Sequence, residues 1–186
     1  MNIGFALCGS FCTYSQVFPV IEQLAQVHRV IPILSPAAAN IDSRFGNAEE
    51  HISRLTEICH QAPFTTLTEV EPIGPKGLLD ILVIAPCTGN TLAKLAHGIA
   101  DTPVTMAAKS HLRNGRPLLL GISTNDGLSG AAENIGRLLN RKHFYFVPFG
   151  QDDPYGKPCS LVAKFLKLPQ ALDAALEGYQ LQPIML

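Results

Sequence analysis

The residues best suited to chemistry lie just after apolar runs of strand length. Gly9 and Ser10 follow the first of these runs, and Ser35 follows the second. Residues 87–91 (Cys-Thr-Gly-Asn-Thr) follow another run and open a helical pattern. Small hydroxyl and amide side chains beside the free N–H groups of a helix N-terminus suit an anion such as phosphate. An ordinary strand-to-helix turn with an N-capping Thr or Asn explains the same residues equally well.

A further polar group and two cysteine positions also bear on chemistry. Residues 123–127 (Ser-Thr-Asn-Asp-Gly) follow a later apolar run, where Asn125 suits a ring or a carboxylate, and turn chemistry is an equal alternative. Cys87 opens a helix, where a thiolate is favoured, but no His or other base is adjacent, so a packed thiol is the simpler interpretation. Cys8 and Cys12 lack further Cys or His partners, so we predict no metal site. The sequence identifies no catalytic residue.

A parallel sheet would bring these polar groups together. Unbroken apolar runs at residues 3–7, 30–34, 81–85 and 117–122 predict strands buried on both faces. Amphipathic patterns between them predict helices, and the carboxyl ends of parallel strands share one edge of a sheet. The sequence therefore predicts a doubly wound, Rossmann-like α/β fold with a single domain over residues 1–186. The Gly-x-Gly-x-x-Gly fingerprint of dinucleotide binding is absent.

Proline positions set limits on the sheet. Pro32 lies inside the second apolar run and predicts an edge strand, because proline cannot donate to a ladder. For the same reason, we expect the third strand to end before Pro86. Weaker patterns predict an irregular segment at residues 37–47, a brief strand at 64–67 and a last strand at 144–147. They also predict a terminal helix at 161–177 and an apolar tail at 181–186 that packs on a neighbouring protomer.

Composition excludes several classes of protein. Of 186 residues, 47% are hydrophobic and 16% are charged, which predicts an extensive core rather than disorder. The formal net charge is −1 and Lys and Arg form no cluster, so we expect no nucleic-acid partner. Apolar runs are too short to span a bilayer, and the N-terminus lacks the cationic start of a secretory signal. Five cysteines without a disulfide-type pattern favour a reducing compartment, so we expect a cytoplasmic protein.

These motifs resemble the flavoprotein family that includes the cysteine decarboxylases and the flavin prenyltransferases. The resemblance rests on the Gly9-Ser10 turn, on Ser35, and on residues 85–101, with Ala-Pro, Asn-Thr-Leu-Ala-Lys and Gly-Ile-Ala-Asp in order. It covers nearly the whole chain and implies a flavodoxin-like sheet with FMN, or a related phosphate ligand, at the strand ends. The residues it implies for the cofactor are Gly9, Ser10, Phe11, Ser35, Pro86, Cys87, Thr88, Gly89, Asn90, Thr91 and Met106.

The resemblance also implies a substrate site and shows where this chain departs from its relatives. Ser123, Thr124 and Asn125 would face a small dicarboxylate substrate. Flavin prenyltransferases place an Arg in that neighbourhood, and its absence argues against prenyl-phosphate chemistry. The Pro-x-Met-Asn signature of the cysteine decarboxylases is absent as well. Neither relative's catalytic set therefore transfers whole.

Within this family the resemblance is most evident to one component of a two-component oxidoreductase of sporulating bacteria. It implies a separate partner polypeptide that uses NAD or NADP, and the oxidation of a dihydropyridine dicarboxylate, which gains aromaticity. We also expect the chain to form a homo-oligomer. Two alternatives stay open, namely a stand-alone FMN-dependent decarboxylase and a non-catalytic assembly or delivery protein with a vestigial flavin site.

Overall fold

A seven-stranded, mostly parallel sheet forms the centre of the computed structural model, which describes residues 1–186. The strands are β1 (Asn2–Leu7), β2 (Arg29–Leu34), β3 (Ile81–Cys87), β4 (Leu118–Thr124), β5 (Phe144–Phe146), β6 (Phe149–Gly150) and β7 (Leu161–Ala163). The parallel strands lie in the order β2-β1-β3-β4-β5, and the antiparallel pair β7-β6 continues the sheet beside the carboxyl half of β4. This order is that of a flavodoxin-like doubly wound fold, so the predicted fold class is confirmed.

Eight α-helices cover the sheet. They are α1 (Tyr14–Ala25), α2 (Pro36–Asn40), α3 (Ala48–Cys59), α4 (Leu67–Val70), α5 (Gly89–His97), α6 (Pro103–Leu112), α7 (Ala132–Leu139) and α8 (Leu168–Leu176). Every residue of β3 is buried, because this strand has neighbours on both sides and helices on both faces. Burial of each large aliphatic side chain contributes roughly 1.5–3 kcal/mol, so the sheet's apolar faces dominate the stability of the fold.

Capping residues set the ends of the helices that lead away from the sheet. The Thr88 side chain accepts a hydrogen bond from the Thr91 N–H and so begins α5. The helix ends at Gly98, whose φ of 71° is left-handed and suits glycine. Thr102 caps α6 in the same way, with Pro103 in the first turn. These local signals, which are visible in the sequence, explain where both helices begin and where α5 ends.

The prediction that β3 ends before Pro86 was wrong. The strand extends to Cys87, and its register against β4 shifts between Ile84 and Cys87. The Pro86 carbonyl accepts a hydrogen bond from the Cys8 N–H, so the irregular end of the strand still joins the sheet. Proline is tolerated here because the ladder is interrupted at this point. Pro32 does lie in an edge strand, β2, as predicted.

Other segments differ from the sequence-based predictions. The segment predicted as irregular, 37–47, begins inside α2, and the predicted strand at 64–67 reduces to one bridge between Phe64 and Ile33. The predicted terminal helix contains strand β7 and begins only at Leu168. Strand β5 is therefore not the last one. The tail, which was predicted to pack on a neighbouring protomer, also pairs within the chain, because the backbones of Ile184 and Leu186 hydrogen-bond to Phe149.

The strand order creates one place suited to a ligand. Chain connections leave β1 towards β2 on one side and β3 towards β4 on the other, so a crevice opens between the carboxyl ends of β1 and β3. Gly9 and Thr88, which follow these two strands, flank that crevice. The fold thus brings the turn after β1 and the N-terminus of α5 together.

Candidate functional site

A cavity of about 430 Å³ occupies this crevice, and we call it the strand-end cavity. Its lining comes from the turn after β1, the start of α2, the first two turns of α5 and the residue before α6. The lining residues are Gly9, Ser35, Pro36, Ala37, Thr88, Asn90, Thr91, Lys94 and Thr102. Hydroxyl, amide and ammonium groups predominate, so the cavity suits a polar or anionic ligand.

The N-terminus of α5 presents hydrogen-bond donors to the strand-end cavity. The Thr91 hydroxyl accepts from the Thr88 hydroxyl at 3.1 Å and donates to the Cys8 sulfur at 3.3 Å, so Thr91 is turned towards the core. The N–H groups of Gly89 and Asn90 belong to the first helical turn and have no intrahelical acceptor. Together with the exposed Asn90 amide, they form the anion-binding arrangement typical of a helix N-terminus.

Ser35 closes the opposite wall of the cavity. Its hydroxyl accepts from the Ala38 N–H at 3.2 Å and so caps α2. The residue is buried, with 8% of its surface exposed, although it lines the cavity. A Cβ added to Gly9 would lie 3.1 Å from the Ala37 Cβ, so glycine keeps the entrance between these two walls open.

Lys94 is the one cation in the lining, and it is held by Asp101. Its ammonium nitrogen lies 2.7 and 2.8 Å from the two carboxylate oxygens of Asp101. The hydrogen bonds from Lys94 lower the pKa of Asp101, so the carboxylate stays charged and competes for the ammonium. An anion in the cavity would therefore share Lys94 with Asp101. Lys94 was recognised in the sequence only as part of the motif at residues 85–101, and its position in the cavity lining was not predicted.

The end of β4 lies beside the cavity but is partly occupied by internal contacts. The Ser10 hydroxyl lies 2.8 Å from the Ser123 hydroxyl and 3.1 Å from the Ser123 carbonyl oxygen. Ser123 is 3% exposed, so only Thr124 and Asn125 of the predicted substrate residues reach solvent. The Thr124 hydroxyl donates to Asp126, a carboxylate to which the sequence assigns no role.

Gly89 allows Asp126 to approach the first turn of α5. A Cβ at Gly89 would lie 2.8 Å from a carboxylate oxygen of Asp126 and 2.7 Å from the Thr124 hydroxyl. The carboxylate therefore lies beside the positive end of the α5 dipole, which stabilises its charge. It also marks a boundary of the anion site, because a second anion placed close to it would be repelled.

Burial keeps the two cysteines of this region as thiols. Burial raises the pKa of Cys8 to about 11 and raises the pKa of Cys87 well above its ordinary value. The Cys87 sulfur has only a long contact, 4.0 Å, to the Thr88 carbonyl oxygen, and no base lies beside it. These facts favour the packed thiol over the nucleophile for Cys87.

The predicted cofactor residues divide into two groups. Gly9, Ser35, Thr88, Asn90 and Thr91 line the strand-end cavity, whereas Ser10, Phe11, Pro86, Cys87, Gly89 and Met106 do not. Sequence reasoning missed four lining residues, Pro36, Ala37, Lys94 and Thr102. Pro36 and Thr102 each belong to an N-cap followed by proline, and Lys94 lies within the 85–101 motif. The lining fits the phosphate and the polyol chain of a flavin nucleotide, since both need polar partners.

Two kinds of site are not found in this structure. The His, Cys, Asp and Glu side chains form no group of three or more placed to hold a metal ion. None of the eight helices is both long enough and apolar enough to cross a bilayer.

Comparison with known proteins gives matches over most or all of the chain. A family model described as "Flavoprotein" matches residues 1–145. The B subunit of dipicolinate synthase from Bacillus subtilis (strain 168) is 46% identical over 185 residues, which are 99% of this chain and 92% of that protein.

Solved structures match the fold as well. The crystal structure of the dipicolinate synthase B subunit from Bacillus halodurans superposes with a TM-score of 0.91 at 44% identity, covering 100% of this chain and 95% of that one. Burkholderia xenovorans DmrB in complex with FMN, described as a cubic protein cage for redox transfer, has a TM-score of 0.70 at 22% identity, with 95% of each chain covered. At this low identity, the match to DmrB shows a shared fold and nothing more.

Proposed function

The chain belongs to the flavoprotein family, and from this premise we propose that it is the B subunit of a dipicolinate synthase. The observation that carries the proposal is the 46% identity to the Bacillus subtilis protein over 99% of the chain. The polar strand-end cavity supports it, because such a cavity provides a place for a cofactor or substrate anion.

The proposed cofactor is FMN. The N–H and the side-chain amide of Asn90, with the Lys94 ammonium, would hold its phosphate, since these donors line the cavity and are free or shareable. Gly9 and Ser35 would border the rest of the molecule. When bound, FMN supplies a two-electron acceptor, and the protein's part is to bind and orient it.

The proposed reaction is the oxidation of a dihydrodipicolinate-type intermediate to dipicolinate in sporulating bacteria. This step removes two electrons and two protons from the ring, and the electrons would pass to NAD or NADP on a partner, the A subunit of dipicolinate synthase. Thr124 and Asn125 would present polar groups to the substrate carboxylates at the end of β4. We further propose that the complex is a cytoplasmic assembly in which this chain forms a homo-oligomer.

Reconstitution with the A subunit tests the proposal. This chain alone, the A subunit alone and the two combined would each be supplied with the dihydro intermediate, generated in situ, and with NAD or NADP. Dipicolinate formation should require both proteins, and its rate should rise with added FMN. Full activity of the A subunit on its own would overturn the proposal.

A variant of the strand-end cavity separates catalysis from simple assembly. Asn90→Ala should lower the activity of the reconstituted complex while leaving its formation intact, because Asn90 is exposed and caps nothing. His97→Gln, at the exposed end of the same helix, is the matched control. Equal activity of the Asn90 variant and the control would instead assign the chain to assembly or delivery.

A further inference from the structure

A second cavity of about 430 Å³ lies between α5 and α6 and shares no lining residue with the strand-end cavity. We call it the α5–α6 cavity. Leu95, Ile99, Ala108, Leu112 and Phe144 form its apolar walls. Leu95 and Ala108 are buried, while Ile99 is 48% exposed, so the cavity has a closed floor and an open mouth.

Small residues create the space in this cavity. Gly98, Ala100 and Ala108 carry no atoms beyond Cβ, and all three lie in the lining. A Cβ added at Gly98 would meet no atom within 4 Å, so the space beside it is empty of protein. A volume of this size is at the lower end of the range for small-molecule sites, which is roughly 300–1,000 Å³. The shape therefore admits a compact ligand with an apolar body.

The charge of the α5–α6 cavity is entirely positive. Lys109, Arg113 and Arg141 line it, whereas no Asp or Glu does. The Arg141 guanidinium donates to the carbonyl oxygens of Leu95 at 3.0 Å and of Ala96 at 2.7 Å, which fixes its cation at the wall.

The two cations at the C-terminal end of α6 lack partners. Lys109 and Arg113 are exposed, and neither is among the five ion pairs of the chain. Because they are four residues apart at the end of α6, they project on the same side of it and repel each other. An anion between them would offset this repulsion and form charge-assisted hydrogen bonds.

We propose that the α5–α6 cavity binds a small aromatic carboxylate. The flat ring would lie against the apolar walls, and the carboxylate would contact Lys109 and Arg113 at the mouth. An aliphatic dianion would lack the apolar contacts, and a neutral aromatic would lack the charged ones. The site is thus specific for a ligand that combines both. The product of the proposed function, pyridine-2,6-dicarboxylate, belongs to this class. The choice of that compound as a probe rests on the proposed function, whereas the site itself does not.

Calorimetric titration of the full chain tests the site, with benzoate and pyridine-2,6-dicarboxylate as probes in metal-free buffer. Both acids should bind saturably, and benzamide should bind at least about tenfold more weakly because it lacks the charge. Saturable binding of benzoate alone would support the site and count against the proposed product as its ligand. No saturable binding of either acid, or equal binding of benzamide, would overturn the proposal.

Substitutions then locate the binding. Lys109→Gln with Arg113→Gln should weaken binding at least about tenfold. The matched control, Arg44→Gln with Lys76→Gln, removes the same charge from exposed residues without ion pairs and should change affinity by less than about twofold. Ala100→Leu, which fills the cavity at a half-buried position, should also abolish binding. Equal losses in the charge variant and its control, or loss on Asn90→Ala instead, would overturn the assignment.

Discussion

The Ser10 hydroxyl lies 2.8 Å from the Ser123 hydroxyl, and this contact joins the turn after β1 to the carboxyl end of β4. A consistent assignment has Ser10 donating to the Ser123 carbonyl oxygen and accepting from the Ser123 hydroxyl. Both hydroxyl hydrogens then form hydrogen bonds within the protein. The contact spans 113 residues of sequence, so it stabilises the packing of two distant segments.

Ser10→Ala should therefore affect stability more than ligand binding. Loss of the hydroxyl leaves the buried Ser123 without its acceptor, which costs about 1 kcal/mol in free energy of unfolding. FMN affinity, measured by quenching of flavin fluorescence, should change by less than about twofold, whereas Asn90→Ala should weaken it roughly tenfold. A loss of FMN affinity on Ser10→Ala as large as that on Asn90→Ala would mean that Ser10 contacts the cofactor directly.

The Lys94–Asp101 ion pair should compete with an anionic ligand. Asp101→Asn removes the competing carboxylate and should tighten FMN binding, while Lys94→Gln should weaken it roughly tenfold. The direction of the two effects is the test, because loss of either partner breaks the same ion pair. Weaker binding in both variants would indicate that Asp101 positions Lys94 rather than competing for it. Riboflavin, which lacks the phosphate, should respond to neither substitution.

Thiol labelling should distinguish the cysteines of the folded chain. At pH 7.5 a maleimide should modify the exposed Cys12 first, and Cys8 and Cys87 should stay unmodified. Burial raises the pKa of both buried thiols, so almost no thiolate is present at this pH. Peptide mapping by mass spectrometry reads the result. Rapid modification of Cys87 in the folded protein would restore it as a candidate nucleophile.

His111 should make stability depend on pH near neutrality. Its Nε2 lies 2.9 Å from the Pro117 carbonyl oxygen and must donate to it, so a second proton would go to the buried Nδ1, which has no partner. Burial lowers the pKa of His111, and the hydrogen bond to Pro117 offsets part of this lowering, while the charges of Arg116 and Asp80 act in opposite directions.

The sign of the pH effect follows from this lowered pKa. The unfolded chain, with a histidine pKa of about 6.5, takes up the proton first as the pH falls. The stabilising contribution is complete above that pH and is lost progressively below it. Urea midpoints should therefore fall between pH 7.5 and 5.5, less steeply in His111→Gln than in the exposed control His97→Gln. Parallel pH profiles for the two variants would contradict this role.

Local signals account for the parts of the fold that the sequence predicts correctly. The polar residues 87–91 predicted the start of α5, and the apolar run beginning at Ile81 predicted β3. Such signals act within a few residues, so they are visible in one sequence. The strand β7 at Leu161 has none, because it exists only through its pairing with β4 and β6.

The sequence predicted where the residues of the candidate site lie but not which way their side chains point. The rule that polar residues after parallel strands meet at one edge located Gly9, Ser35 and Thr88 around one cavity. Spacing alone does not reveal that Ser10 turns towards Ser123 or that Thr91 turns towards Cys8, since these choices depend on tertiary partners. The same limit hid Lys94, whose side chain reaches the cavity from the second turn of α5.

Strand β4 has two different partners along one edge, so its carboxyl end, near the site, can open independently of its buried first half. Leu118 to Leu120 pair with β5, whereas Ser123 and Thr124 pair with the short β7. The second pairing is small and antiparallel, and it belongs to a loop-rich segment. In native-state hydrogen exchange, the amides of β7 should open without those of β5. The wall that would face the substrate can thus rearrange in a local fluctuation while the central sheet stays folded.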